Sequence, residues 1–143
     1  MKDILDIHSH TIASGHAYNT LYEMARAAAD NGMELFGSSD HGPALPGSSH
    51  EMYFCNFKSI PKELFGMRLI MGCELNILDY KGTLDLKEWL LKRVDYGIAS
   101  IHDLCYKTGS REENTAAAVN AMKSPYVQVI GHPDNANIHL EDR

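Results

Sequence analysis

The sequence predicts an α/β fold built on a mainly parallel sheet, and three observations predict it. Short apolar segments alternate with amphipathic ones along the 143 residues, several of the amphipathic ones open on a helix-capping signal, and histidines and acids fall repeatedly where an apolar segment ends.

Residues 4–7 read as a first strand. Thr20 and Glu23 form an S/T-x-x-E capping box, and Leu21, Met24, Ala25 and Ala28 follow at helical spacing until Asn31-Gly32 stops the helix. Residues 35–39 are a second strand. Residues 54–64 look helical, with Pro61 ending the first part near Ile60, and residues 68–73 form a third strand. Residues 77–84, turning at Tyr80-Lys81-Gly82, form a small hairpin or an irregular loop. Asp85 with Glu88 caps a helix that runs to Val94, and residues 96–101 are a fourth strand. Ser110 with Glu113 opens a helix through Ala117, Ala118 and Met122, which Pro125 prevents from continuing; residues 127–130 are a fifth strand.

Composition bounds the function. The chain is expected to be a single domain over residues 1–143, with no apolar run near the roughly 20 residues of a membrane span and no signal-peptide core in Met1 to Asp6. Three dispersed cysteines, Cys55, Cys73 and Cys105, without a Cys-x-x-Cys, fit free thiols and a cytoplasmic location. A net charge of −6 argues against a broad basic surface for nucleic acid, so attraction for an anionic substrate must be local.

Eight histidines against thirteen Lys plus Arg are the unusual feature, and their placement is ordered. His8 and His10 end the first strand, Asp40 and His41 the second, Glu74 the third, His102 the fourth and His132 the fifth. Strands in a parallel sheet share one direction, so five segments deliver imidazole or carboxylate to a single face. His8 and His10, two apart on an extended segment, project to the same side and can chelate one ion; a carboxylate such as Glu74 can bridge two cations. Asp6 and Asp40 are placed to orient the imidazoles from behind. Alternation along the strand points Cys73 away from this face. His50 and His139 read as exposed loop histidines, and Lys107 and Arg111 receive no role.

In order, Asp6-x-His8-x-His10-Thr11, Ser39-Asp40-His41-Gly42, Glu74 in Gly-Cys-Glu-Leu-Asn, Ser100-Ile101-His102 and Gly131-His132-Pro133 resemble the successive motifs of the PHP (polymerase and histidinol phosphatase) family. Residues 13–21, Ala-Ser-Gly-His-Ala-Tyr-Asn-Thr-Leu, resemble its YcdX-like stand-alone phosphatase branch. The resemblance implies a distorted (βα)7 TIM-like barrel and up to three divalent metals, zinc first and manganese or iron as alternatives. His8, His10 and Glu74 would hold one metal, His16 and His41 a second, and Glu74, His102 and His132 a third. It further implies a phosphatase or phosphodiesterase that uses a metal-bound hydroxide on a small phosphorylated substrate, with Glu74 and His41 acting through the metal-bound water and no covalent protein nucleophile. The family's late Asp-x-His motif does not follow His132. The chain is therefore expected to be C-terminally incomplete, to lack the last barrel strands and to be weakly active alone, with pairing to another copy left open.

Two other readings stand beside this one. An amidohydrolase-type metal hydrolase also opens on His-x-His, but usually carries a bridging lysine or carboxylate on strand four, where this chain has Ser100-Ile101-His102. A non-catalytic metal-binding module is the alternative if the late ligands are truly absent.

Overall fold

A computed structural model describes residues 4–141, which leaves Met1 to Asp3, part of the segment read for a targeting signal, outside the described residues. Five parallel strands form the sheet in the order β1 (Leu5–Ser9), β2 (Leu35–Ser38), β4 (Met67–Asn76), β5 (Tyr96–Ser100) and β6 (Val129–Ile130); β3 (Glu63–Leu64) pairs antiparallel with β4. The connections carry α1 (Leu21–Asp30), α2 (Glu51–Cys55), α3 (Glu88–Leu91) and α4 (Arg111–Ala121). None of these helices is long and apolar enough to cross a membrane.

Both long helices begin where the capping boxes place them. Thr20 Oγ1 accepts from Glu23 N while Glu23 returns a carboxylate to Thr20 N, and Ser110 with Glu113 repeats the exchange. Two expected helices fall short. Over residues 54–64, α2 ends at Cys55 and a 310 turn follows at residues 57–59; the chain then enters β3, because Phe65-Gly66, both at positive φ, make a tight hairpin into β4. Asp85 does not cap α3, whose N-cap is Lys87 with no side-chain bond; its carboxylate turns inward instead. Residues 77–84 form a hairpin-like loop closed by a bridge between Ile77 and Leu84.

The third strand is longer than expected. It runs to Asn76, so Glu74 lies within β4 rather than at its end. Its odd positions, Leu69, Met71, Cys73 and Leu75, pack outward in a core with Phe36, Phe54 and Leu90. Its even positions, Gly72, Glu74 and Asn76, therefore face the other side of the sheet.

That inner side is concave. In a flat sheet β1 and β6, four steps apart, would be separated by about 19 Å, and β1 and β5 by about 14 Å. Yet the rings of His8 and His132 stack at 5.8 Å, and the Tyr96 hydroxyl on β5 donates to the Ile7 carbonyl on β1 at 2.7 Å. The sheet curls into part of a barrel.

Tyr96 fills the inside of that curl below the metal-type residues. A Cβ on Gly72 would lie 2.3 Å from the Tyr96 ring, and one on Gly37 2.5 Å from its hydroxyl, so two glycines make the space the ring occupies. The hydroxyl also answers a bulge. Between the pairs Asp6↔Phe36 and Ser9↔Ser38, β1 advances three residues while β2 advances two. The displaced backbone groups find Tyr96 at the Ile7 carbonyl and the Asp6 carboxylate at the His8 N–H, 3.0 Å away.

Gly72→Ala should therefore force the Tyr96 ring to move and lower stability by about 1–3 kcal/mol. Urea unfolding reads this directly, and an unchanged midpoint would show that the ring is not confined by the sheet.

Candidate metal centre

Glu74 is wholly buried, and no Lys or Arg salt bridge to it is found among the described residues. Imidazoles surround it instead. Its Oε1 faces Nε2 of His8 at 3.2 Å, of His102 at 3.4 Å and of His132 at 2.8 Å. Its Oε2 faces His10 Nε2 at 3.2 Å and His41 Nδ1 at 3.0 Å. Burial would raise the Glu74 carboxyl, but contacts with His10, His102, His132 and His41 outweigh it and hold the group far below the usual carboxylate range.

Each ring is delivered by a strand or the loop after it. His8 sits in the β1 bulge and His10 just past the strand's end. His41 follows β2 and makes an isolated bridge to Glu74, reinforced by the Gly42 N–H donating to the Glu74 carbonyl. His102 and His132 stand two residues beyond β5 and β6. His132 holds a positive φ of 29°, a backbone cost of order 1–3 kcal/mol accepted where its ring meets Glu74. His16, in the loop after β1, reaches His41 with 2.8 Å between their Nε2 atoms.

All seven residues expected to hold metal thus meet in one cluster, though grouped differently from the resemblance. The potential ligand sets within 4.8 Å are His10, His16 and His41; His8, Glu74 and His132; and His41, Glu74 and His102. His8 and His10 face different oxygens of Glu74. His50 and His139 lie apart from this cluster: His50 caps α2, its Nδ1 accepting from Met52 N, and His139 is exposed.

The two aspartates act further back than expected. Asp6 binds the His8 backbone rather than a ring. Asp40, also wholly buried, accepts from Thr11 N and Oγ1, Ser14 Oγ, Ser38 Oγ and Tyr53 OH, so it orients His10 only through Ser14. Ser14 and Asn76 are the imidazole partners that sequence reasoning missed. Ser14 carries no readable signal, but Asn76 lies two residues from Glu74 on one strand, which puts both on one face.

These partners assign the ring protons. Ser14 commits its hydroxyl proton to Asp40 at 2.7 Å, so it must accept from His10 Nδ1 at 3.1 Å. The Asn76 amide donates to Gly42 O and Asp85, which turns its carbonyl toward His102 Nδ1 at 2.7 Å. Both rings then present Nε2 lone pairs to the Glu74 oxygens. Facing lone pairs repel unless a cation or a second proton lies between them. For His41 burial lowers proton affinity, outweighing the pull of Glu74, which favours a neutral ring. His41 Nδ1, Glu74 Oε2 and Ser100 Oγ are also buried with no hydrogen-bond partner. Clustered imidazoles, a shared carboxylate and orphaned polar atoms at one end of the sheet are the donor set that divalent transition metals take.

Known proteins resemble the chain over nearly its whole length. The family model described as the PHP domain matches residues 6–140. The chain is 50% identical over 135 residues to a Clostridium novyi protein named "Probable phosphatase", covering 94% of this chain and 55% of that one. It is 48% identical over 141 residues to one of the same name from Acetivibrio thermocellus, with 99% and 58% covered. A third, from Thermoanaerobacter pseudethanolicus, is 49% identical over 136 residues, with 94% and 56% covered. The chain spans about half the length of the curated relatives it matches.

Elemental analysis after gentle purification should find zinc, manganese or iron in the protein, with Glu74→Ala losing most of it and His50→Ala none. Equal losses from the two variants would remove Glu74 from the centre. Ser14→Ala, which takes the acceptor from His10 Nδ1, should weaken metal affinity by about 10- to 100-fold in chelator competition; wild-type affinity would mean that Ser14 does not hold the ring.

Proposed function

Because the chain belongs to the PHP domain family, we propose that it carries the metal centre of a phosphoesterase that hydrolyses a small phosphorylated substrate at the open end of the curled sheet. The observation that carries the reading is the buried Glu74, with both oxygens against imidazole nitrogens whose ring protons are committed elsewhere. The five parallel strands read as one side of a distorted (βα)7 barrel, whose chemistry sits at the C-terminal ends of its strands. Zinc suits the imidazole-rich donor set, with manganese or iron as alternatives, and as many as three ions could share the ligand groups.

Divalent cations bound here would acidify a water and neutralise phosphate oxygens during an in-line displacement. The chain's own residues prepare that chemistry. Glu74 spans the ligand groups with its two oxygens, and His41 stands in two of them. Ser14 and Asn76 keep ring protons on Nδ1, so that Nε2 of His10 and His102 stays available as a donor atom. Side-chain exposure runs from 6% at His41 to 32% at His8 and 35% at His132, and His16 is exposed, so the cluster is open to solvent along its rim. Cys73, next to Glu74, packs in the outer core and burial pushes its thiol up, which removes it as a nucleophile. Ions held by these residues would supply the local positive charge a phosphate needs in an otherwise acidic chain.

Hydrolysis of a generic phosphate ester by the protein should disappear on chelation and return with zinc or manganese. Glu74→Gln should lower the rate by more than ~100-fold, beyond what an outer-shell group usually costs. Activity that survives chelation and this substitution would sink the metal-dependent reading.

A further inference from the structure

The Asp85 side chain has no place in the proposed chemistry, yet it is turned into the protein beneath the metal centre. Its Oδ1 accepts from Asn76 N at 2.9 Å, and its Oδ2 from Asn76 Nδ2 at 2.6 Å and Ala44 N at 2.9 Å. The approach is close enough that a Cβ on Gly42 would lie 2.4 Å from the carboxylate. All three partners are donors, so a proton on Asp85 would have no acceptor among them.

We propose that Asp85 is a positioning residue: by fixing which way the Asn76 carboxamide faces, it keeps the His102 ring proton on Nδ1 and leaves Nε2 as the metal-facing donor. Asn76 Nδ2 has two protons, and both face groups that can only accept, Asp85 Oδ2 and the Gly42 carbonyl at 3.1 Å. The amide oxygen is thereby forced toward His102 Nδ1, which must donate. A flipped amide would offer N–H to Nδ1, move the ring proton to Nε2 and put it where a cation would bind. The same carboxylate, through Ala44 N and through Asn76 to Gly42 O, holds the segment just after His41, so one half-buried acid steadies two rings of the cluster.

This inference rests on the metal-centre reading, and the experiment separates the two. Zinc is first measured in the unaltered protein; retention supports the centre, and absence overturns that reading itself. Chelator competition then compares Asp85→Asn, whose amide can donate toward Asn76 and release it to flip. The expected result is a loss of about 10- to 100-fold in affinity for one zinc, with the remaining metal retained. The reciprocal exchange, Asp85→Asn with Asn76→Asp, returns a carboxylate acceptor to His102 Nδ1 and should bind zinc more tightly than the single variant. A merely structural Asp85 predicts no such rescue. Wild-type affinity in the single variant, or no recovery in the exchange, would overturn the proposal. Nitrogen NMR of the zinc-loaded, unaltered protein needs no variant to fold: a protected proton on His102 Nδ1 supports the assignment, and a proton on Nε2 refutes it.

Discussion

A carboxylate removed from water must be compensated, and Glu74 is removed completely. The imidazoles that surround it come from the other four parallel strands of the sheet or from the loops just beyond them, so the curl of the sheet and the surroundings of one residue are a single problem. A flat sheet would carry His8 and His132 too far apart to share one oxygen. Tyr96 beneath, the two glycines it lies across and the bulge in β1 all serve the geometry that lets the rings converge.

Most of the frame was legible because its signals are local. The boxes at Thr20-Glu23 and Ser110-Glu113 are reciprocal bonds within four residues, and they begin helices where expected. Residues 54–64 misled because their apolar spacing also suits an outer layer made of a short helix, a 310 turn and a strand; the deciding feature, the turn at Phe65-Gly66, has Phe in a conformation that glycine usually takes, with the Arg26 guanidinium 3.7 Å from its ring centroid. Asp85 at the expected N-cap of α3 misled for a related reason. A carboxylate that could cap its own helix instead bonds to Asn76 and Ala44, a choice made by tertiary contact.

Six of the seven clustered residues were expected at one end of the sheet because strand direction is a one-dimensional fact: when strands run parallel, the residues at and just beyond their C-terminal ends gather on one side; His16, in the loop after β1, came from the family resemblance. How those residues divide into groups was not legible, since that depends on where each ring stands in space and where its second nitrogen finds a partner. Asp6 and Asp40, expected to orient imidazoles, instead bond a backbone N–H and, among others, a serine hydroxyl. Sequence spacing shows proximity and does not show which atom of a neighbour is bound.

The span of these contacts along the chain bears on how the molecule reaches its native state. His132 meets Glu74 across 58 residues and Tyr96 meets Ile7 across 89, so the concave face exists only after distant segments have docked. Such contacts repay the entropy of loop closure late, which slows folding relative to a chain of local contacts. A ligand that binds only the docked arrangement shifts the equilibrium toward it by mass action. Cation supply during synthesis would then influence how much of the chain escapes proteolysis and aggregation, independently of any catalytic turnover.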